Sequence, residues 1–289
     1  MNWKIYSAHG KIIEFDKPAV MAIMNATPDS FSDGGLLSTD EKLKSRIKEV
    51  VSARADIIDV GGESTRPGGH MPVAGNEEAK RVIRVIKAIR THNSTIPISV
   101  DTQKVLVARL AIAAGADFIN DVSGLTDNLL ASYVAEKGCS IVLMRHKSLA
   151  EPIIDNCRKQ MAELVIRAVK KGIAKDRIIL DPGLGFGDLQ HSNFSSLPGR
   201  HRAANLELAI NPLKYSGRFP VLIGASRKRF IGQLTGKDNA QDRRAGSVVI
   251  AALAFGAGAK IVRAHDVRAT VQARDVMLSI YSQTKNLII

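Results

Sequence analysis

The feature that most constrains the fold is a short apolar run that recurs along the chain, each time ending in polar residues. A run of four to eight apolar residues bounded by polar residues is typical of a strand buried on both faces. Segments with the period of an amphipathic helix follow several of the runs, for example 40–53, 76–90, 104–115 and 157–172. The runs occupy residues 20–25, 56–61, 97–101, 117–121, 140–145, 177–181, 220–225 and 260–264.

Eight strand-and-helix units in series predict an α/β protein with a parallel sheet. The chain lacks the glycine fingerprint of a dinucleotide fold, which favours a single (β/α)8 TIM barrel over the main rival, a doubly wound open sheet. Residues 4–15 read as a short N-terminal β-hairpin that covers the start of the core. With no linker or change of composition along the sequence, we expect one domain spanning residues 1–289.

The strand ends carry the strongest functional signal. In a barrel all eight converge on one rim, which is where such enzymes place their active sites. One Asp after an apolar run is ordinarily a helix N-cap, but polar groups at the ends of all eight runs are not explained as caps. The residues concerned are Asn25, Asp59, Asp101, Asn120, Asp121, Met144, Arg145, His146, Asp181, Ser226, Arg227, Lys228, Arg263, His265 and Asp266.

Two groups of side chains stand out among them. Asp101, Asp181, Asn120 and Lys228 combine acceptors, an amide and a cation, which suits the amide- and guanidine-like edge of a heterocycle such as a pterin. The plain alternative is an internal ion pair between Asp101 and Lys228.

The second group suits phosphate oxygens, because arginine forks, a histidine and glycine-rich loops supply many donors. It comprises Asn25, Arg66, Arg227, Arg263 and His265. The segment GGESTRPGG (61–69) reads as an anion-binding loop, and the plain alternative is a turn-rich connection.

Composition narrows the class of partner. The net charge of +13 is compatible with nucleic acid or with a small anionic substrate. Aromatic residues make up only 4% of the chain, so stacking platforms for single strands are scarce and an anionic substrate is the better account. Cys139 and Cys157 form no metal-ligand or disulfide pattern. No signal-peptide core and no apolar run of about 18 residues is present, so we expect a cytoplasmic protein.

Seven segments, read together, match one known family. They are MNATPDSFSDGG (24–35), DVGGESTRPGG (59–69), ISVDTQK (98–104), INDVSGL (119–125), ILDPGLGFG (179–187), IGASRKRFIGQL (223–234) and IVRAHDV (261–267). The first two are highly specific. In these segments the chain resembles the dihydropteroate synthases of the pterin-binding barrel superfamily.

The resemblance implies that p-aminobenzoate attacks the methylene carbon of 6-hydroxymethyl-7,8-dihydropterin pyrophosphate, giving 7,8-dihydropteroate and pyrophosphate. It implies Mg²⁺ as a cofactor held at Asn25 and a homodimer, while the composition and the lack of a long apolar run lead us to expect no nucleic-acid or membrane partner. We expect an SN1-like displacement, because no nucleophilic side chain is evident and the site suits positioning and charge stabilisation. The segment 245–259 is the most apolar helix and the expected dimer interface, and the plain alternative is that this helix is buried against the barrel.

The residue roles are likewise what the resemblance implies. Pterin binding falls to Asp101, Asn120, Met144, Asp181 and Lys228. Pyrophosphate binding falls to Asn25, Arg66, Arg263 and His265. The p-aminobenzoate pocket falls to Phe31, Thr65, Pro67, Phe186 and Lys228. The residues expected to act in catalysis are Asp101, Asp181, Lys228, Arg263 and His265.

The chain departs from the family pattern in two places. Arg145 stands where a histidine is expected after the fifth strand, and the region 188–212 differs, with Asp188 where lysine is common. These departures affect the expected shape of the pterin-side rim and leave a divergent paralogue as an alternative. The enzymatic rival is a methyltetrahydrofolate–corrinoid methyltransferase, which has no use for the anion-binding group. The non-enzymatic rival is a basic nucleic-acid-binding barrel.

Overall fold

A computed structural model describes residues 2–27, 39–63, 72–186 and 198–284. Its central element is a parallel sheet of eight strands in the spatial order β8-β7-β6-β5-β4-β3-β10-β9. The strands are β3 Ala19–Asn25, β4 Ile57–Gly61, β5 Ile98–Asp101, β6 Phe118–Asp121, β7 Ile141–Met144, β8 Ile178–Asp181, β9 Leu222–Ile223 and β10 Ile261–Ala264.

The sheet closes on itself. Val221, just before β9, forms a parallel bridge with Leu180 of β8, and the Leu180 amide donates to the Pro220 carbonyl at 2.9 Å. The two outermost strands are therefore joined, which confirms the predicted barrel and excludes the open doubly wound sheet. The predicted strand 220–225 is shorter in the structure, because Val221 joins the sheet only through this bridge and the chain leaves it after Ile223.

Helices follow the strands and bury their apolar faces against the barrel, as the sequence period predicts. In α2, for example, the buried side chains recur at Val82, Val85, Ile86 and Ile89. The helices are α1 Asp40–Ser52, α2 Gly75–His92, α3 Val105–Ala113, α4 Asn128–Lys137, α5 Ile153–Lys170, α6 Pro198–Ala209, α7 Pro212–Ser216, α8 Arg229–Thr235, α9 Arg244–Gly256 and α10 Val267–Thr284.

The N-terminal end of the barrel is closed by the predicted hairpin. Its strands, β1 Trp3–Tyr6 and β2 Ile12–Phe15, pair antiparallel. Trp3 and Ile5 pack onto an apolar floor made by the first inward-facing residues of the barrel strands, Met21, Ile57, Phe118, Val142, Ile179, Leu222 and Ile261. The Ser140 amide donates to the Tyr6 carbonyl at 2.8 Å, which ties the hairpin to the start of β7.

Cys139 and Cys157 are buried and form no disulfide. Across the part of the chain that the structure describes, every helix is too short or too polar to cross a lipid bilayer.

Candidate active site

The C-terminal ends of the strands gather most of the predicted residues in one place. Side chains alternate along a strand, so residues two positions beyond the apolar floor also face the barrel interior. The sheet register sets neighbours directly beside one another: Asn25 pairs with Gly61, Gly61 with Asp101, Asp101 with Asn120, and Met144 with Asp181. At this end of the barrel, the inward-facing positions therefore hold mostly small or polar side chains, in contrast to the apolar floor at the other end.

Arg263 joins two buried carboxylates in the barrel interior. Its Nε donates to Asp59 Oδ2 at 2.6 Å, and its Nη2 donates to Asp101 Oδ2 at 2.9 Å. Burial disfavours the charge on Arg263, but the two carboxylates outweigh it and the pKa of Arg263 is raised. The ion pair of Asp101 is thus made with Arg263 and not with Lys228, and Arg263 belongs as much to the heterocycle group as to the anion group.

Asp59, expected at a strand end, is a site residue to which the sequence assigned no role. Its side chain has no solvent exposure, and its Oδ2 also accepts from Asn120 Nδ2 at 3.1 Å. The signal that could have found it is the period of two: Asp59 lies between the floor residue Ile57 and Gly61 at the rim, so it must face inward.

Several buried oxygens around this cluster lack a hydrogen-bond partner. Among the residues that the structure describes, six buried side-chain atoms are unpartnered, and four of them belong here: Asp59 Oδ1, Ser99 Oγ, Asp101 Oδ1 and Asn120 Oδ1. Buried polar atoms are normally paired, so such a concentration indicates a place where a ligand supplies the missing donors. The oxygens of an asparagine amide and of an ionised aspartate can only accept, so the ligand they fit carries N–H or O–H groups.

Asp101 and Asp181, the two carboxylates predicted to bind the pterin, both have a raised pKa. Burial raises the pKa of Asp101 to about 7; Arg263 opposes this rise, and the neighbouring charges of Asp59, Glu78 and Asp121 add to it. Burial also raises the pKa of Asp181, while Lys228, the Gly183 amide and the two arginines at 145 and 263 oppose the rise. Perturbed groups of this kind cluster at functional sites.

The loop after β8 is shaped around Asp181. Asp181 Oδ1 accepts from the Gly183 amide at 2.7 Å, and Arg145 Nε donates to the Pro182 carbonyl at 2.9 Å. Gly183 has φ +66°, and a Cβ there would lie 2.1 Å from the Arg145 carbonyl, so only glycine fits. Arg145, the departure from the family pattern, is buried and braces this turn.

Lys228 and Phe186 lie together on the other side of Asp181. The Lys228 ammonium is 4.3 Å from the centroid of the Phe186 ring and also donates to the Leu184 carbonyl. Lys228 is the N-cap residue of α8. Arg227, just before it, has φ +57° and makes a two-point ion pair with Asp266 at 3.0 and 2.8 Å. A non-glycine residue held in this region marks a functional site more often than a random loop position.

His265 and Asn25 stand at the ends of their strands. The His265 amide donates to Ser226 Oγ at 3.1 Å, and its Nδ1 lies 3.0 Å from the same oxygen. The carboxamide of Asn25 is partly exposed and makes no hydrogen bond to the residues that the structure describes. Both therefore lie at the rim, beyond the apolar floor.

Four predicted site residues lie outside the described residues: Phe31, Thr65, Arg66 and Pro67. Asp188 also lies outside them. The residues on either side of the undescribed part of the GGESTRPGG loop are described, and Lys104 contacts both sides. Its ammonium contacts the Glu63 carboxylate, the Val73 carbonyl at 2.6 Å and the Glu78 carboxylate at 2.7 Å.

Known proteins share this architecture. The pattern of the family described as "Pterin binding enzyme" matches residues 21–265. The dihydropteroate synthase of Bacillus subtilis is 40% identical over 267 residues, which is 91% of this chain and 88% of that protein. The Xanthomonas albilineans dihydropteroate synthase solved with 4-aminobenzoic acid is 37% identical, with a TM-score of 0.83 over 96% of this chain and 98% of that one. The same enzyme solved with 7,8-dihydropteroate gives a TM-score of 0.80 at 36% identity and the same coverage.

Proposed function

The chain belongs to the pterin-binding enzyme family, and we propose that the barrel mouth described above is the active site of its dihydropteroate synthase reaction. The protein is a transferase of folate biosynthesis. It joins p-aminobenzoate to 6-hydroxymethyl-7,8-dihydropterin pyrophosphate: a carbon–nitrogen bond forms at the methylene carbon, the carbon–oxygen bond to pyrophosphate breaks, and the amine releases a proton.

The observation that carries the assignment of the pterin is the set of unpartnered acceptors. Asp101 Oδ1 and Asn120 Oδ1 are buried beside one another on adjacent strands. A pterin presents its 2-amino group and a ring N–H along one edge, which is the donor pattern that these oxygens lack. Asp181 and Lys228 complete the pocket, and Met144, buried in register with Asp181, offers an apolar surface to the ring.

The pyrophosphate is assigned to the rim. Arg263 uses Nε and Nη2 on the two carboxylates, and within the described residues its Nη1 makes no hydrogen bond, so it can donate to a phosphate oxygen. His265 and Asn25 lie at the ends of β10 and β3, which are neighbours in the sheet. Arg66, outside the described residues, remains a predicted fourth contact.

The p-aminobenzoate pocket is assigned to Phe186 and Lys228 together with the predicted Phe31, Thr65 and Pro67. The Lys228 ammonium against the Phe186 ring places a cation and an aromatic face side by side. That combination suits a benzoate, whose ring can pack on the aromatic side chain and whose carboxylate is attracted by the charge.

Mg²⁺ fits this rim only together with the substrate. Within the described residues no three His, Cys, Asp or Glu side chains lie close enough to hold a metal. The free carboxamide oxygen of Asn25 can serve as one ligand, and Mg²⁺ characteristically takes most of its remaining ligands from substrate phosphates and water. When bound, the ion neutralises negative charge on the pyrophosphate.

The residues present favour a dissociative displacement. A weakly basic arylamine needs no activation if the leaving group is stabilised by Arg263 and His265. The pterin methylene then gains positive charge, which the carboxylates of Asp181 and Asp101 stabilise. At saturating substrate, a series of ring-substituted aminobenzoates should give nearly the same rate. A rate that rises steeply with amine nucleophilicity contradicts this mechanism.

The decisive test of the site is calorimetry with the dihydropterin pyrophosphate, with and without Mg²⁺. Asp181→Asn replaces a ring acceptor and should weaken binding by about 100-fold, since hydrogen bonds to charged groups are worth about 1.5–3 kcal/mol. Pyrophosphate release that requires both substrates checks the reaction itself. If the wild type binds but Asp181→Asn binds equally well, the pterin is not held at the barrel mouth.

We also propose an oligomeric state and a cellular location for the protein. Val249 and Leu253 on α9 and Val276 and Ile280 on α10 are about half exposed, and these two helices pack against each other. Such a stripe supports a homodimer built on this face, as expected for the segment 245–259. We propose further that residues 1–289 form one domain, that the protein works in the cytoplasm, and that its partners are its two small substrates.

A further inference from the structure

Asp59 is the most deeply placed charged residue of the site. It has no exposure to solvent and lies one layer above the apolar floor, in register with Ile23 and Ser99. A single oxygen, Oδ2, accepts from Arg263 Nε at 2.6 Å and from Asn120 Nδ2 at 3.1 Å. Asp59 thus connects two residues assigned to the substrates, one on each side of the barrel.

The contact with Asn120 decides which atom that residue offers to a ligand. A carboxylate can only accept hydrogen bonds, so the amide group of Asn120 must turn its NH₂ toward Asp59. Its Oδ1 then faces away, and there it is buried without a partner. The last torsion of an asparagine side chain has two broad and nearly equivalent states, so the side chain has little preference of its own between them.

The contact with Arg263 fixes the guanidinium plane. Asp59 holds Nε while Asp101 holds Nη2 at 2.9 Å, and two attachments on different atoms leave little freedom of rotation. Without Asp59, Arg263 keeps one carboxylate partner and can rotate, whereas the side chain of Asn120 keeps no hydrogen-bond partner among the described residues.

We propose that Asp59 is a positioning residue that sets the polarity of the pterin pocket, holding Asn120 as an acceptor so that the site selects a heterocycle with an N–H donor edge. The proposal rests on the proposed function. It goes beyond that function because Asp59 acts on specificity through Asn120 and Arg263 and need not touch the substrate. The simpler role is that of a counter-ion for Arg263, which would affect stability and leave ligand choice unchanged.

The test compares two ligands: 6-hydroxymethyl-7,8-dihydropterin and the analogue in which an oxo group, an acceptor, replaces the 2-amino group. Calorimetry gives the ratio of their dissociation constants. Asp59→Ala frees the Asn120 amide to present its NH₂, so the preference for the pterin should fall about tenfold, the value of one correctly paired hydrogen bond. In Asp59→Asn the amide oxygen can take both hydrogen bonds, so the preference should stay within about twofold of wild type.

A double-mutant cycle isolates the route through Asn120. In Asn120→Ala there is no amide to orient, so adding Asp59→Ala should leave the ratio unchanged. Thermal melting of each variant identifies any loss of fold. If Asp59→Ala does not fold, Asp59→Ser serves instead, because its hydroxyl can donate as well as accept and should lower the preference in the same direction.

The outcomes separate the two levels of inference. A wild type that binds neither ligand contradicts the proposed function. A wild type that prefers the pterin, with an Asp59→Ala or Asp59→Ser variant that keeps the full preference, overturns the positioning role and leaves the function standing. An equal loss of preference in the Asn120→Ala background also overturns it, because Asp59 would then act by another route.

Discussion

The two ends of this barrel both contain arginine–aspartate pairs, and the pairs around Arg263 at the C-terminal end differ from those at the N-terminal end in how many carboxylate oxygens are hydrogen-bonded. At the N-terminal end, Asp117 Oδ2 accepts from Arg90 at 2.6 Å and from the Ile98 amide at 2.8 Å, and Oδ1 accepts from Ser7 at 2.8 Å. Arg274, fully buried, donates to Asp56, Asp275 and the Pro18 carbonyl. Both carboxylate oxygens of Asp117 therefore accept hydrogen bonds.

At the C-terminal end, Arg227 pairs with both oxygens of Asp266, but the pairing around Arg263 is incomplete. Asp59 and Asp101 each give one oxygen to Arg263 and keep the other buried and unpartnered. An unmet buried acceptor costs about 1–3 kcal/mol, so a fold keeps several of them in one place only if a ligand supplies the donors. Complete pairing is structural, and the incomplete pairing around Arg263 is functional. Replacing the same residue type at each end tests this distinction.

Arg263→Met should have the largest effect, and it should fall on activity. The change removes the cation between Asp59 and Asp101 and the donor assigned to the pyrophosphate, so kcat/KM should fall by about 1000-fold, the upper range for removal of one charge-stabilising donor. A coupled assay of pyrophosphate release measures it. Because Asp101 is readily protonated, part of the uncompensated charge is relieved, and thermal melting should fall only modestly.

Activity retained within tenfold in a folded Arg263→Met protein would show that this pair is structural, like those at the other end. Arg145→Met is the matched variant at the same end: Arg145 braces the turn through backbone carbonyls and is not assigned to the substrates. Its effect on kcat/KM should be clearly smaller than that of Arg263→Met.

Arg274→Met should have the second largest effect, and it should fall on stability. Arg274 on α10 forms an ion pair with Asp56, just before β4. Its loss leaves the Asp56 carboxylate, which also accepts from the Val20 amide at 2.8 Å, without its cation. Breaking a buried pair from one side costs about 3–5 kcal/mol, so urea unfolding should shift accordingly. Measured below the transition, kcat/KM per folded molecule should equal that of wild type. A parallel loss of kcat/KM would mean that the two ends are coupled.

The difference between the structural parts of the barrel and its functional site also explains what could and could not be predicted from the sequence. The strands were predictable because each is buried on both faces and reads as a continuous apolar run, and the rim followed from the polar residue at each strand end. The hairpin and its place over the start of the core were predictable, but the cluster that Trp3 forms with Leu222 and Ile261, from the far end of the chain, was not.

The pairing inside the site was not predictable. Arg263 lies 204 residues from Asp59 and 162 from Asp101, and nothing local distinguishes those partners from Lys228, the partner that we weighed for Asp101. The role of Asp59 was not predictable for a related reason: its importance depends on which donor atoms its carboxylate accepts hydrogen bonds from. Burial and hydrogen-bond geometry decide this, and neither can be read from residue type.

The smallest predicted effect is a dependence of ligand affinity on pH. Burial raises the pKa of Asp101 to about 7, with Arg263 opposing and Asp59, Glu78 and Asp121 adding to the rise. Below that pH the carboxyl is neutral and a poorer acceptor; above it the carboxylate accepts fully from the N–H edge of a pterin. Affinity should therefore increase as the pH rises from 6 to 8 and level off above that. Since the ionised fraction rises from about one tenth to about nine tenths, the increase should be about tenfold.

Calorimetry with 6-hydroxymethyl-7,8-dihydropterin across this range measures the increase. Asp101→Asn is the control, because its amide does not titrate in this range while any titration of the ligand stays the same in both proteins. The difference between the two pH profiles therefore belongs to Asp101. Coinciding profiles would mean that the protonation of Asp101 does not control ligand affinity between pH 6 and 8. Asp101 would then not be a titrating acceptor for the N–H edge of the pterin, and the functional reading of the incomplete pairing around Arg263 would lose this support.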